Sequence, residues 1–186
     1  MFAGVSFALA AGAALIVRGP NGAGKSSLLR LLAGLLEPAA GLLSWNGGPV
    51  RDDPAAHRGR LHLIGHGNAI KSALSVRENL RFAVALAGAP ADGIERALES
   101  LDLTALAGVP SLYLSAGQRR RLALARLLAA PRALWLLDEP DAGLDAASRE
   151  RLARAVAEHR AGGGIAVIAT HGDLGVRAPH VLELGT

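Results

Sequence analysis

A chain of 186 residues, of which 51% are hydrophobic, is long enough to bury a sizeable core in a single domain. It contains no cysteine, which excludes disulfides, thiolate metal sites and a cysteine nucleophile. The net charge of +4 would fit a nucleic acid or an anionic membrane surface, but nearly all the basic residues are arginine in a chain also rich in Ala and Gly. We therefore interpret the charge as a compositional bias and predict no nucleic acid partner.

Residues 1–17 contain no charged side chain, so a signal peptide or a membrane-spanning helix must be considered. The stretch lies at the lower limit of length for a spanning helix, lacks the basic region of a signal peptide, and runs directly into a glycine-rich loop. We interpret it instead as two buried strands, at 5–9 and 13–17, joined by a turn. No other apolar run is long enough to span a bilayer, so a membrane partner would have to supply the spanning helices.

The loop from Gly19 to Ser26 fits the pattern Gly-x-x-x-x-Gly-Lys-Ser of a phosphate-binding loop. It precedes a segment of helical spacing from Lys25 to about Leu36, which we expect to end before Pro38. Its glycines let backbone N–H groups turn toward phosphates, Lys25 would contact the β and γ phosphates, and the Ser26 hydroxyl would bind Mg²⁺. The candidate nucleotide-binding residues are Gly19, Pro20, Asn21, Gly22, Ala23, Gly24, Lys25, Ser26 and Ser27. The alternative is a glycine-rich turn that contains a lysine by chance.

The middle of the chain is mainly helical. Residues 41–48 predict a short strand and a tight Asn-Gly turn, and 51–60 predict a turn and a short helix before a buried strand at 61–65. A helical region then begins near Val76 and continues, with a break around 88–90, to about Leu106. We expect one domain over residues 1–186, with a small helical subdomain at about 72–130.

The segment Leu114–Gln118 starts another helix, in which Ser115 and Gln118 form a capping box. Gly117 is a poor helix former in this first turn, and it is explained if the backbone must approach a ligand closely. The basic residues that follow, Arg119–Arg121, are better interpreted as a solvated or rim-exposed face than as a nucleic acid site. The helix should stop before Pro131.

An apolar strand at 133–137 ends in the carboxylates Asp138 and Glu139. At the carboxyl edge of a sheet, Asp138 could hold Mg²⁺ through water, and Glu139 could orient or deprotonate an attacking water. The alternative is an ordinary strand-to-turn junction before Pro140. A last buried strand at 165–170 ends at His171, where a contact with a γ-phosphate is plausible, although a lone histidine is usually structural.

In order and spacing, these elements resemble the ATP-binding subunit of an ABC transporter. The corresponding segments are 19–27 for the Walker A loop, 114–118 for the signature motif, 134–139 for the Walker B strand, 140–145 for the D-loop and His171 for the switch histidine. The resemblance implies an α/β fold with a P-loop NTPase core, a mostly parallel sheet, antiparallel N-terminal strands and a small helical subdomain.

The resemblance also implies a head-to-tail homodimer that binds two MgATP and drives separate transmembrane subunits from the cytoplasmic face of the inner membrane. Each ATP would lie between the Walker motifs of one copy and the signature residues of the other. The residues implied are Glu139 and His171 for catalysis, Ser26 and Asp138 for Mg²⁺, and Ser115, Gly117 and Gln118 for the nucleotide of the second copy.

Within this family, the chain is most similar to the haem-exporter ATPases of cytochrome c biogenesis. The residues that carry this resemblance lie at 19–30, 63–66 and 113–121. It implies an ATPase that serves haem export. The ATPase subunit of a different ABC exporter, or an ATP-binding module with weak turnover, remain as alternatives.

Three departures from the family pattern affect the expected activity. The N-terminal strand and the loop with an adenine-stacking aromatic are expected to be missing, unless Phe2 takes the place of that aromatic. The Q-loop glutamine aligns with Gly67, so that only Asn68 or His66 could supply a side chain there. Asp141 occupies a D-loop position where Ser or Thr is common, and its charge would weaken closure of the dimer.

Overall fold

The computed structural model describes residues 2–185, whose main element is a five-stranded parallel sheet. The strands and helices, in chain order, are β1 Ala14–Arg18, α1 Lys25–Leu32, β2 Ser44–Trp45, β3 Gly48–Pro49, α2 Pro54–Gly59, β4 Leu61–Ile64, α3 Val76–Leu86, α4 Gly93–Ser100, α5 Ala116–Ala129, β5 Leu134–Asp138, α6 Ala146–Ala161, β6 Ile165–Ala169 and β7 His180–Glu183. The strand order is β4-β5-β6-β1-β7, and every neighbouring pair is parallel.

The three central strands are apolar on both faces because helices cover the sheet on both sides. Leu15 of β1 and Leu136 of β5 belong to one buried cluster, together with leucines of α1. The neighbouring residues Ile16 and Leu137 belong to a second cluster, to which α3, α4, α5 and α6 contribute. Period-two alternation in each strand therefore divides its side chains between two cores.

Strand order brings the predicted motifs to one edge of the sheet. Strand β1 pairs with β6, and β6 pairs with β5, so the segments that leave their carboxyl ends are neighbours. These segments carry the glycine-rich loop, His171 and Glu139 respectively. The carboxyl edge is where open α/β sheets bind ligands.

The tight turn predicted at the Asn-Gly pair is confirmed, and it joins two short strands. Trp45 of β2 pairs with Gly48 of β3 in an antiparallel ladder, and the two turn residues Asn46 and Gly47 have φ angles of 50° and 83°. Positive φ at both central positions is the geometry of a type I′ turn, which explains the preference for Asn-Gly. The α/β fold with a parallel sheet and a small antiparallel pair agrees with the fold predicted from the sequence.

The predicted strand at 5–9 is wrong. These residues form no strand, and Phe7 is 38% exposed, while Val5 and Leu9 pack against the cluster on the α1 side of the sheet. Within residues 2–185, neither sheet includes this segment, so it joins no strand ladder. Alternation alone therefore does not make a strand here, because the backbone N–H and C=O groups need a partner.

Helix α1 ends earlier than predicted, at Leu32 rather than about Leu36. Gly34 has a φ of 66°, and the N–H of Leu35 donates to the carbonyl of Arg30 at 2.9 Å. A left-handed glycine followed by a hydrogen bond that reaches back five residues is a C-terminal cap. This cap, and not Pro38, therefore ends the helix.

Helices α3, α4 and α5 pack on one another within the range proposed for the helical subdomain. The buried side chain of Asn79 holds the loop before α3. Its Oδ1 accepts from the N–H of Lys71, and its Nδ2 donates to the carbonyl of Lys71 and to the hydroxyl of Ser111. None of the helices in residues 2–185 combines the length and the apolar character needed to cross a membrane.

Candidate nucleotide-binding site

The glycine-rich loop leads into α1, and no side chain caps the first N–H groups of that helix. Gly24 is the residue before the helix, with a φ of 100°. The left-handed angle favours glycine, and a Cβ atom there would lie 2.8 Å from a ring carbon of Phe2, so that ring would have to shift. Uncapped N–H groups at a helix start, with the dipole behind them, favour an anion.

The ammonium group of Lys25 is buried among polar partners. Its Nζ donates to the carbonyls of Gly19 at 2.7 Å and Pro20 at 3.2 Å, and it lies 3.0 Å from Nε2 of His171. The same Nε2 lies 3.0 Å from Oδ1 of Asn21. The loop after β6 is therefore tied directly to the glycine-rich loop after β1.

The two predicted Mg²⁺ ligands are in direct contact. The hydroxyl of Ser26, in the first turn of α1, donates to Oδ2 of Asp138 at the end of β5 over 2.7 Å. Asp138 is 9% exposed. A hydroxyl and a carboxylate are hard oxygen donors, which suits Mg²⁺, an ion that usually takes few protein ligands and fills its remaining positions with phosphates and water.

Glu139 adopts a left-handed backbone conformation, with a φ of 45°. Its N–H donates to the carbonyl of Ala169 at 2.8 Å, and its Oε1 lies 3.6 Å from Nε2 of His171. Such a conformation costs about 1–3 kcal/mol for a residue with a side chain, so the surroundings must hold it. The result is a carboxylate at the sheet edge beside the predicted switch histidine.

A cavity of about 340 Å³ lies between these groups. It is lined by Asn21, Gly22, Gly24, Lys25, Ser26, Ser27, His66, Asp138 and Glu139. The structure thus brings the Walker A and Walker B candidates together. From the loop after β4, His66 lines the cavity, whereas Gly67, the residue aligned with the Q-loop glutamine, does not.

Comparison with protein families decides the classification. The family model described as "ABC transporter" matches residues 2–142. The chain belongs to the ABC transporter family.

Individual relatives agree with this classification. A protein of Rhodospirillum rubrum named "Cytochrome c biogenesis ATP-binding export protein CcmA" is 55% identical over 184 residues, which cover 99% of this chain and 79% of the relative. A protein of the same name from Paramagnetospirillum magneticum is 53% identical, with 99% and 87% covered. A solved structure of an ATP-binding subunit of an ABC transporter superposes with a TM-score of 0.85 at 26% identity, covering 97% of this chain and 78% of the other. The predicted resemblance, both to the family and to its cytochrome c biogenesis branch, is confirmed.

The signature residues of this ABC subunit lie at the start of α5, outside the cavity. The hydroxyl of Ser115 accepts from the N–H of Gln118, and Oε1 of Gln118 accepts from the N–H of Ser115, which confirms the capping box. A Cβ at Gly117 would lie 3.1 Å from the carbonyl oxygen of Gly143 in the D-loop. The close contact at Gly117 within one subunit is thus with backbone, while contact with a nucleotide stays a prediction.

The D-loop residue Asp141 is tied to the loop that carries the switch histidine. Its Oδ1 accepts from the hydroxyl of Thr170 at 3.1 Å, and that hydroxyl accepts from the N–H of Gly172 at 3.0 Å. Thr170 is 1% exposed. Asp141 therefore has a role inside the subunit, and the predicted effect of its charge on dimer closure is not tested by these contacts.

The prediction of a solvated or rim-exposed face at Arg119–Arg121 is wrong for Arg120, which is 5% exposed, whereas Arg119 and Arg121 are partly exposed. Burial lowers the pKa of its guanidinium, against the opposing charges of Asp138, Asp141 and Glu139. Helical spacing contained the signal, because Arg120 precedes the buried residues Leu124 and Leu127 by four and seven positions and so shares their face.

Proposed function

We propose that this chain is the ATP-hydrolysing motor subunit of an ABC exporter, and that the exporter serves cytochrome c biogenesis through haem export. The observation that carries the motor assignment is the convergence of Lys25, Ser26, Asp138, Glu139 and His171 on one edge of the sheet. The names of the relatives from Rhodospirillum rubrum and Paramagnetospirillum magneticum support the cytochrome c branch. Haem as the cargo follows from the resemblance to that branch.

Each side chain has a defined task in hydrolysis. Lys25 and the N–H groups at the start of α1 bind the β and γ phosphates, and Ser26 and Asp138 hold Mg²⁺. When bound, Mg²⁺ neutralises phosphate charge. Glu139 orients a water molecule and accepts its proton as the water oxygen bonds to the γ phosphorus and the bond to the β–γ bridging oxygen breaks, releasing ADP. His171, whose Nε2 lies 3.6 Å from Oε1 of Glu139, holds the position of Glu139 relative to the γ-phosphate.

A second copy of the chain completes the site. Ser115, Gly117 and Gln118 do not line the cavity of their own subunit, and both Ser115 and the residue after it are exposed. Capping uses Oε1 of Gln118, which leaves its amide nitrogen as a donor for a phosphate oxygen. In a head-to-tail dimer, the start of α5 would therefore present N–H groups and its dipole to the γ-phosphate of the partner. Opening and closing of this dimer would move separate transmembrane subunits.

Turnover by the purified protein tests the motor assignment. We expect wild type to hydrolyse ATP with Mg²⁺, and Glu139→Gln to lose at least about 10²-fold in kcat while it still binds ATP, since removal of a general base has effects of that order. Equal rates for the two forms would contradict the role of Glu139.

Complementation tests the cytochrome c assignment. In a bacterium that lacks its own cytochrome c biogenesis ATP-binding export protein, this chain should restore haem-containing cytochrome c, and Lys25→Ala should not. If wild type hydrolyses ATP but restores no cytochrome c, the subunit serves another exporter.

An ATP-binding module with weak turnover is the second candidate. It is favoured by the loop after β4, in which Gly67 has no side chain to replace a glutamine and His66 lines the cavity instead. Nucleotide binding without hydrolysis in both wild type and Glu139→Gln would support this candidate.

A further inference from the structure

Arg120 uses its whole guanidinium group in hydrogen bonds. Nε donates to the carbonyl of Pro140 at 3.1 Å, and Nη2 donates to the carbonyls of Asp138 at 2.8 Å and Glu139 at 2.7 Å. Nη1 donates to the carbonyl of Gly65 at 3.0 Å and to Oδ1 of Asn68 at 3.2 Å. A guanidinium has five N–H donors in a fixed planar fork, and five acceptors surround this one.

These acceptors lie at the end of β5 and in two loops that reach the ATP cavity. One loop follows β5 and carries Glu139, and the other follows β4 and carries His66; both residues line the cavity. Arg120 itself lies on α5, which begins beside Ser115. One buried side chain therefore joins three elements of the hydrolytic machinery without contacting the cavity itself.

The same bonds explain how Glu139 keeps its unfavourable backbone. Three consecutive carbonyls, those of residues 138–140, converge on the guanidinium. A regular strand points successive carbonyls in opposite directions, and the left-handed φ of 45° at Glu139 departs from that geometry at the place where the three carbonyls converge. The bonds to Arg120 provide the stabilisation that such a conformation needs.

We propose that Arg120 is a positioning residue for ATP hydrolysis, which holds the backbone of Glu139 and the His66 loop at a fixed place relative to the signature helix α5. The inference rests on the proposed ATPase function and adds to it a residue that acts through Glu139. Lysine cannot replace Arg120, because a single ammonium group cannot reach acceptors spread over two loops.

Kinetics of Arg120→Lys provide the first test, with Arg160→Lys as the matched control. Arg160 also donates to two backbone carbonyls, those of Gly12 at 2.9 Å and Arg177 at 2.7 Å, but it lies away from the cavity. A displacement of Glu139 by about 1 Å should lower kcat by about 10²-fold, and ATP affinity should stay within about threefold because the glycine-rich loop is untouched. Arg160→Lys should change neither value.

A double variant tests whether Arg120 acts through Glu139. Adding Arg120→Lys to Glu139→Gln should not lower the residual rate further, because the group that Arg120 positions has already been lost. If the two substitutions lower the hydrolysis rate independently, so that the double variant loses the product of the two single effects, the proposal is overturned. So would an unchanged kcat in Arg120→Lys, or a loss of ATP affinity as large as the loss of kcat.

Amide hydrogen exchange without nucleotide keeps the inference separate from the proposed function. If wild type proves inactive, the proposed function fails, yet Arg120→Lys should still speed exchange at the N–H groups of Glu139 and Ala142, which bond to Ala169 and Glu139 in the native loop. Exchange in β1 and β6 should remain as in wild type. Unchanged exchange at 139–142, or general loss of protection that includes β1, would overturn the positioning role.

Discussion

The ammonium group of Lys25 already has hydrogen-bond partners in its own loop and in the loop after β6. It donates to the carbonyls of Gly19 and Pro20 and contacts His171. Phosphate oxygens would compete for the same N–H donors, so ATP binding must exchange these bonds rather than fill unused ones. We expect the switch histidine to be released from Lys25 in the same step, which would free Nε2 for the γ-phosphate.

Asp141 offers a prediction at the scale of one residue. Replacing it with alanine removes the acceptor of the buried Thr170 hydroxyl. An unpaired buried donor costs about 1–3 kcal/mol, so we expect Asp141→Ala to lower the free energy of unfolding by about that amount in urea titrations.

Asp173→Ala provides the control for this prediction. The carboxylate of Asp173 accepts from the N–H of Gly175 in an exposed turn, where water can replace it. Equal destabilisation by both substitutions would show that the Asp141–Thr170 bond contributes nothing special. Asp141→Asn, which keeps an oxygen in place, should lose less stability than Asp141→Ala.

At the scale of an element, helix α5 serves two parts of the machinery from one rigid body. Its exposed start holds the signature residues in a capping box, and Arg120 in its second turn points inward to the loops after β4 and β5. The rest of the helix buries an apolar face and ends at Ala129, just before Pro131. A displacement at its start would therefore reach Glu139 through Arg120.

The capping box of α5 predicts separable effects on stability and function. Ser115→Ala should cost about 0.5–2 kcal/mol of unfolding free energy through the lost cap, and in addition should reduce ATP-induced dimerisation of the Glu139→Gln form, measured by light scattering.

Helix α3 supplies the matched control, because Ser75 and Glu78 form the same capping box there. Ser75→Ala should lose similar stability and leave ATP-induced dimerisation intact. If both variants dimerise equally well, Ser115 has no role beyond its own helix.

At the scale of the whole molecule, the sheet has its two ends in different environments. The carboxyl edge carries the polar site, while near the start of β5 lies a group of aromatic rings in which Trp135 stacks on His159 with centroids 3.9 Å apart. Nε2 of His62, a β4 residue that pairs with Trp135, donates to the carbonyl of Ala130. Burial lowers the pKa of His159 and lowers the pKa of His62 to about 4.

These histidines predict acid sensitivity of the fold. The pKa of His62 is about 6.5 in the unfolded chain and about 4 in the folded chain, so the unfolded chain binds this proton at a higher pH. Between those values the unfolded state binds more protons, so the free energy of unfolding should fall by roughly 1–3 kcal/mol as the pH is lowered from 6.5 to 4.

Urea titrations at several pH values measure this dependence. His62→Gln should weaken the dependence between pH 4 and 6.5, whereas His180→Gln, at an exposed position, should keep that of wild type. A wild-type slope in His62→Gln would show that other groups cause the acid sensitivity.

Features that depend on neighbours along the chain were determined by the sequence itself. The glycine-rich loop, the Asn46–Gly47 turn and the Ser115–Gln118 cap each follow from local backbone geometry and local hydrogen bonds. The gathering of Lys25, Glu139 and His171 at one edge was also predictable, since parallel strands place their carboxyl ends together. The early end of α1 at Leu32 also has a local signal that the prediction of about Leu36 did not use, because Gly34 favours a left-handed cap.

Features that depend on partners distant in the chain were decided only by the tertiary structure. Residues 5–9 alternate like a strand but join neither sheet of the described residues, because alternation carries no information about a pairing partner. The strand order, the contact between Ser26 and Asp138, and the five acceptors around Arg120 all join segments far apart in sequence. The sequence contains each group, but packing alone determines which groups meet.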